Sequence, residues 1–283
     1  MMNSKLTNIK NIAWAIAIVL CLLALLVGLG FAAFTRNHGE MQRPTVLIGQ
    51  AAAARDEAVA LAEEEARAAY EAANGELKML GASDDAGQAY IDSLTFLCDS
   101  ALIGLRDYGL LTGGTATTQV WGSSAGNIPA TQLADFLIRY PGDGSEISAA
   151  DAAMIAKPAR LVLSLGTDSL RETDRERFIA DYEALIRSLK DASPDTVIAV
   201  CSITSVTISY SGNDGLEFTI VNEANEWLQQ ICAETGVYFV DAARSVSDSN
   251  GSLLSEYASA NGKTLNSAGL NQILLFLRTH VMP

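Results

Sequence analysis

The stretch FLCDS at residues 96–100 closes an apolar run that begins at Leu94. A short, continuous apolar run of this kind is typical of a strand buried on both faces of a sheet. Similar runs occur at residues 160–165, 196–203 and 237–240, and a weaker one at residues 117–121. The Asp-Ser pair at residues 99–100 therefore stands at the carboxyl end of a predicted buried strand.

Helical signals lie between these strands. Thr173 followed by Glu176 has the spacing of a capping box, and Gly236 is a typical helix stop. Strands that alternate with helices predict a parallel sheet covered on both faces. We therefore predict an α/β fold, a three-layer α/β/α sandwich with a parallel sheet of about five strands. Apolar residues repeat at helical spacing at Phe178, Tyr182, Leu185, Ile186 and Leu189, at Ala224, Leu228 and Ile231, and at Leu270, Ile273, Leu274 and Leu277.

The N-terminal region contains a candidate membrane anchor at residues 12–34, which carry no charged or strongly polar side chain. A helix of that length spans a hydrocarbon core of about 30 Å. Lys5 and Lys10 precede it and favour a cytoplasmic N-terminus at residues 1–11. We expect a single-pass protein of the cell membrane with an extracytoplasmic C-terminal domain. A cleaved signal peptide is the alternative.

Residues 35–90 are predicted to connect the anchor to a domain at residues 91–283. Residues 51–80 are rich in Ala and Glu and contain no Pro, a composition that favours helix. Large apolar residues are too sparse there for a heptad seam. A solvated helical stalk is the expected structure, and a dimerising coil is the alternative.

The net charge and the cysteines argue against several kinds of partner and site. The net charge of −14 argues against nucleic acid as a partner. Cys98, Cys201 and Cys232 show no metal-ligand spacing, and Cys98 and Cys201 end apolar runs, where a thiol behaves as a small apolar group. We predict no structural disulfide, metal or cofactor.

Four sequence blocks in this order resemble the SGNH (GDSL) hydrolases over residues 94–280. They are Asp-Ser at residues 99–100, a Gly-bearing loop at residues 120–126, Leu-Gly-Thr-Asp at residues 165–168, and the segment at residues 261–269 before the last helix. The resemblance implies the fold predicted above and a serine esterase chemistry. An Asp-Ser pair alone is most often a turn or a helix cap.

The resemblance assigns roles to individual residues. Ser100 matches the nucleophile, and its backbone N–H would line the oxyanion hole together with that of Gly126; Gly122 is the less favoured glycine. Asp168 stands where the family has an Asn whose amide completes that hole. Asn261 and Thr264 stand where the last block has the Asp and His of the triad.

Three of these five positions depart from the family pattern in a way that disfavours hydrolysis. A serine hydroxyl is a weak nucleophile without a base, and Thr264 cannot serve as one. We expect a catalytically impaired, membrane-anchored domain that binds a cell-envelope glycan or a protein partner. An active O-acyl esterase on envelope carbohydrate or lipid esters is one alternative, and a structural envelope scaffold is another. Asp99 and Asp168 could also form a divalent-cation site or be solvated loop residues.

Overall fold

The computed structural model describes residues 76–283, except residues 213 and 215. These residues belong to one compact unit of the chain, residues 67–283. The predicted cytoplasmic segment, the anchor at residues 12–34 and the stalk up to residue 75 lie outside the described residues. Within the described part of the chain, no helix combines the length and the apolar composition needed to cross a membrane.

A six-stranded parallel sheet forms the centre of the domain, in the order β1-β8-β7-β6-β2-β3. All five pairings in this sheet are parallel. A separate antiparallel pair joins β4 to β5. The strands are β1 (Lys78–Met79), β2 (Leu94–Cys98), β3 (Val120–Trp121), β4 (Ile138–Arg139), β5 (Glu146–Ile147), β6 (Arg160–Ser164), β7 (Val197–Cys201) and β8 (Tyr238–Val240).

The sixth strand corrects the prediction of about five. β1 pairs with the free edge of β8, and the Leu80 N–H donates to the Phe239 carbonyl at 2.9 Å. Both residues of β1 are exposed, so no apolar run marks it in the sequence. The helix-favouring composition of residues 51–80 is a weak local preference, and hydrogen bonding to the edge of β8 overrides it at residues 78–79.

Six α-helices of the described residues cover the sheet. The predicted apolar faces at residues 178–189, 224–231 and 270–277 all lie on helices. The start of α4 differs by one residue, because the Asp174 carboxylate, not Thr173, caps it by accepting the Arg177 N–H at 2.9 Å. The helices are α1 (Gly87–Asp92), α2 (Gly104–Asp107), α3 (Ala149–Ala156), α4 (Arg175–Ala192), α5 (Phe218–Thr235) and α6 (Ser267–Arg278).

The core has two halves, one on each face of the sheet. Along β2, Leu97 belongs to the half that contains Phe178 of α4, and its neighbour Phe96 belongs to the half that contains Leu270 of α6. This alternation follows from the two-residue period of a strand and gives the predicted α/β/α layers. Three free, buried cysteines lie in these halves: Cys98, Cys201 and Cys232.

The pairing of β2 with β6 positions the candidate site. Cys98 lies opposite Ser164 in the parallel register, and the Asp99 N–H continues the ladder by donating to the Ser164 carbonyl at 3.0 Å. The two segments that follow these strands therefore leave the sheet side by side at its carboxyl edge. Ligands of open parallel sheets bind at this edge.

We expect Leu270→Ala to lower the free energy of unfolding by about 2–5 kcal/mol, because it leaves a cavity in the core. Leu270 is fully buried and its Cδ1 lies against Gly104, the first residue of α2. The matched control is Leu275→Ala on the same helix, where 45% of the residue is exposed, and its effect should stay within about 0.5 kcal/mol. Urea unfolding of both variants measures the difference, and equal losses would contradict this packing.

Candidate active site

The Asp99 carboxylate joins the two segments at the carboxyl edge of the sheet. Asp99 is fully buried. Its Oδ1 accepts the Ala101 N–H at 3.0 Å, and its Oδ2 accepts the N–H groups of Gly166 at 2.9 Å and Thr167 at 2.7 Å. Because buried N–H groups need acceptors, one carboxylate fixes the backbone after β2 and the backbone after β6 together.

Burial is the main cause of an unusual ionisation of this carboxyl. The pKa of Asp99 is raised to about 7, mainly by burial and secondly by the negative charge of Asp168, while hydrogen bonds from three backbone N–H groups oppose this rise. Two carboxylates that share a buried site cannot both ionise freely. The site thus contains a carboxyl group whose protonation changes near neutral pH.

Ser100 and Asp168 are in direct contact. The Ser100 hydroxyl donates to Asp168 Oδ1 at 2.6 Å, and the Ser100 N–H donates to Asp168 Oδ2 at 3.1 Å. The Ile128 N–H also donates to Oδ2, at 3.2 Å. The carboxylate of Asp168 therefore occupies the backbone donors beside the serine hydroxyl. Ile128 has no side-chain signal that could have revealed it in the sequence, since it contributes only its backbone N–H.

The two candidate glycines lie in the segment after β3. The Gly126 N–H donates to the Ser123 carbonyl at 3.0 Å, so a turn takes up this predicted oxyanion donor. Gly122 lies against the end of β2, where a Cβ atom would be 3.4 Å from the Cys98 carbonyl oxygen and 2.5 Å from Ile103 Cδ1. The close approach of this segment to β2 thus depends on glycine at position 122.

Asn261 and Thr264 form a closed local turn. Asn261 Oδ1 accepts the N–H groups of Lys263 and Thr264, both at 3.0 Å, and its Nδ2 donates to Thr264 Oγ1 at 3.0 Å. Among the described residues, no hydrogen bond joins either side chain to Ser100. The turn instead packs on the segment after β7, where the Gly262 carbonyl accepts the Thr207 N–H at 2.9 Å.

No imidazole is available beside Ser100 in the described part of the chain. The two histidines are His38, which lies outside the described residues, and His280. His280 stacks on Phe276 with 3.7 Å between ring centroids. Two residues after His280, the Met282 carbonyl accepts a hydrogen bond from the Arg160 side chain at the start of β6. His280 therefore lies near the amino edge of the sheet, whereas Ser100 lies at the carboxyl edge.

The described residues provide few ligands for a metal cation at this site. All hydrogen bonds to the Asp99 carboxylate come from backbone N–H groups. No group of three or more His, Cys, Asp or Glu side chains with the arrangement of a metal site is present within residues 76–283, outside positions 213 and 215. The chemistry available at this edge is that of a serine hydroxyl, a bound carboxylate and backbone donors.

The sequence of this chain matches that of a known protein family. The sequence model of the GDSL-like lipase/acylhydrolase family matches residues 92–269. No curated protein matches the chain.

Solved structures similar to this chain come from several bacteria. A Streptococcus pneumoniae protein named for platelet activating factor is 18% identical, with a TM-score of 0.47 and coverage of 81% of this chain and 97% of that chain. A GDSL-like lipase from Bacteroides thetaiotaomicron is 13% identical, with a TM-score of 0.46 and coverage of 64% and 83%. A G-D-S-L family protein from Desulfitobacterium hafniense is 17% identical, with a TM-score of 0.46 and coverage of 66% and 98%.

The raised pKa of Asp99 predicts a pH-dependent stability. The folded protein binds this proton more tightly than the unfolded chain, whose carboxyl has an ordinary value of 3.8. The stabilisation is therefore complete below about pH 3.8 and is lost as the pH rises through about 7. We expect the free energy of unfolding, measured with urea, to fall between pH 5 and pH 8, and to fall less in Asp99→Asn.

Asp143→Asn is the matched control, because Asp143 is exposed and its pKa is lowered by hydrogen bonds from Ser145. This carboxyl is ionised at both pH values, so the variant should keep the pH dependence of the parent protein. An Asp99→Asn variant with the same loss of stability from pH 5 to pH 8 as the parent would rule out Asp99 as the source.

Proposed function

The chain belongs to the GDSL-like lipase/acylhydrolase family, and we propose that it is a catalytically impaired member that binds its ligand at the cell envelope without hydrolysing it. The observation that carries this proposal is the position of the Asp168 carboxylate. It binds both the hydroxyl and the N–H of Ser100, together with the N–H of Ile128.

The electrostatics of the site disfavour ester hydrolysis. Ester hydrolysis develops negative charge on the substrate oxygen, and hydrolases stabilise it with preorganised N–H donors worth about 10²–10³ in rate each. At Ser100 the backbone donor is already bound to Asp168 Oδ2. A substrate carbonyl would have to displace this carboxylate, and the charge of an ionised Asp168 would then repel the oxyanion. The Asp168 carboxylate therefore fills the position that the substrate oxygen would take in the oxyanion hole.

The described site also lacks a histidine that could take the proton of Ser100. In the turn at residues 261–264, Asn261 and Thr264 are hydrogen-bonded to each other. Neither side chain can accept the proton of a serine hydroxyl as a histidine imidazole does. Loss of the histidine alone costs about 10⁶-fold in turnover in a serine protease. Both halves of the usual machinery, the base and the free oxyanion hole, are thus replaced.

An active esterase is the second candidate, and one contact favours it. The distance of 2.6 Å between Ser100 Oγ and Asp168 Oδ1 is that of a nucleophile and its general base. In this alternative Asp168 takes the serine proton directly, and its Oδ2 must release the Ser100 N–H before the substrate binds. The same residue would then be indispensable for activity, which separates the two candidates experimentally.

Binding at the envelope rests on the sequence. The uncharged run at residues 12–34 is long enough to span a membrane, and the lysines before it favour export of the chain that follows. The acidic net charge of −14 disfavours an anionic membrane surface as the ligand of the domain itself. We therefore propose an envelope glycan or a protein partner as the ligand. A structural scaffold would instead self-associate through residues 51–80.

We expect p-nitrophenyl acetate hydrolysis by the full-length protein to equal that of Ser100→Ala and Asp168→Asn, because the parent site has neither a base nor a free hole. A serine-directed fluorophosphonate should leave Ser100 unlabelled. If Asp168 is a base, the parent protein should exceed both variants by about 10²-fold or more. That outcome, measured as initial rates, would refute the impaired-enzyme proposal.

Restoring the family pattern provides a positive control in the same assay. The triple variant Asp168→Asn, Asn261→Asp, Thr264→His should gain turnover that Ser100→Ala abolishes, since it supplies an amide donor, a base and a carboxylate partner. Thr264→His alone should gain less, because its imidazole lacks an orienting carboxylate and Asp168 still occupies the hole.

We expect protease added to intact cells to release the domain while a tag on the N-terminus stays protected, because residues 12–34 would remain in the membrane. Immunoblotting against tags at both ends measures the two fragments. The control is the same digestion after the cells are permeabilised, which should also remove the N-terminal tag. A soluble mature chain that begins near Thr35 would show a cleaved signal peptide instead of an anchor.

A further inference from the structure

A cavity opens at the carboxyl edge of the sheet, on the far side of β6 from Ser100. Its volume is about 410 Å³, which lies in the usual range of small-molecule sites, about 300–1,000 Å³. The segments after β7 and β8 and the first turns of α5 form its walls. None of the site residues discussed above lines it.

Part of the wall is fixed by hydrogen bonds within the protein. Asn225 of α5 holds the end of β7, because its Oδ1 accepts the Ile203 N–H at 2.7 Å and its Nδ2 donates to the Ile203 carbonyl at 3.0 Å. Asp248 Oδ1 closes the turn opposite by accepting the N–H groups of Asn250 at 2.8 Å and Ser252 at 3.0 Å. The cavity therefore has a preformed shape.

Other polar side chains of the wall make no hydrogen bond within the described part of the chain. The Ser205 hydroxyl is buried without a hydrogen bond in the described chain, and the residue is only 3% exposed. Leaving a buried hydroxyl unpaired costs about 1–3 kcal/mol. Asp241, which is half-buried, and the exposed residues Asn222 and Arg244 also line the cavity, and their side chains are free of hydrogen bonds and ion pairs to other described residues.

The chemistry of these groups selects the ligand. Arg244 can only donate hydrogen bonds, ionised Asp241 can only accept them, and Asn222 can do both. Opposite charges within one cavity disfavour a simple anion and a simple cation alike. Hydroxyl groups both donate and accept, and the apolar lining residues Ile203 and Val221 suit the C–H face of a ring. We propose that this cavity binds a neutral, polyhydroxylated ring, the chemistry of a sugar unit.

The proposed sugar site is separate from Ser100, so the proposal does not depend on whether Ser100 is active. The two sites are separated by β6, which lies between β7 and β2 in the sheet. Neighbouring strands are about 4.8 Å apart. A ligand in the cavity would therefore leave the hydroxyl of Ser100 and the Asp168 carboxylate untouched.

Saturation-transfer NMR on the full-length protein in a sugar-free detergent tests the proposal with glucose, glucosamine and glucuronate as neutral, cationic and anionic probes. Glucose should bind most tightly. Asn222→Ala and Arg244→Gln should each raise its dissociation constant about tenfold, as expected for a lost hydrogen bond to a polar or charged group.

Two controls separate this site from the one at Ser100. Asn271→Ala changes an exposed Asn on α6 and should leave glucose binding unchanged. Ser100→Ala should leave it unchanged as well. The inference is overturned if glucose gives no saturation transfer, if a charged probe binds more tightly, or if the cavity variants bind as the parent does. Loss of glucose binding in Ser100→Ala, but not in the cavity variants, would also overturn the proposed cavity site and would support binding at Ser100.

Discussion

The buried Asp99 carboxylate is the constraint on which the carboxyl edge of this sheet depends. It accepts three backbone N–H groups, one after β2 and two after β6, and without it these donors would be buried and unpaired. The backbone at Gly166, with φ +115°, is held in a conformation that favours glycine. Because both segments are fixed by the same group, Ser100 and Asp168 emerge at a distance that allows their side chains to meet. The parallel register of β2 and β6 brings Ser100 and Asp168 together, and the hydrogen bonds of Asp99 stabilise the two segments in these positions.

Asp168 changes the chemistry of the site without changing its framework. An amide at this position would donate a hydrogen bond towards a developing oxyanion, whereas a carboxylate can only accept one when ionised. Asp168 therefore turns towards the nearest donors, the N–H groups of Ser100 and Ile128 and the serine hydroxyl. Its charge also contributes to the raised pKa of Asp99. The fold of a hydrolase is thus compatible with a site that is filled by one of its own side chains, since the framework rests on backbone hydrogen bonds and packing.

The carboxyl edge holds two polar regions that differ in how their groups are satisfied. Around Ser100, the carboxylates of Asp99 and Asp168 receive hydrogen bonds from the protein. In the wall of the cavity beyond β6, the buried hydroxyl of Ser205 has no partner within the described chain, whereas Arg244 is exposed to solvent. Buried polar groups without partners are costly and uncommon in folded proteins. The hydrogen bonds around Asp99 thus hold the fold together, and the cavity beyond β6 is where we propose that a ligand binds.

The sequence by itself determined the layers, the parallel sheet, its buried strands and the helix faces, because these follow from local periodicity and from the alternation of strands and helices. It also determined that residues 99–100 and 165–168 stand at strand ends. It did not reveal β1, whose exposed residues Lys78 and Met79 are recruited by the free edge of β8. Nor did it show that Asp168 binds the Ser100 N–H, that Asn261 and Thr264 close a turn on each other, or that Ser205 lines a cavity. These features depend on contacts between segments distant in sequence, and such contacts exist only once the strand register and the loop packing are set.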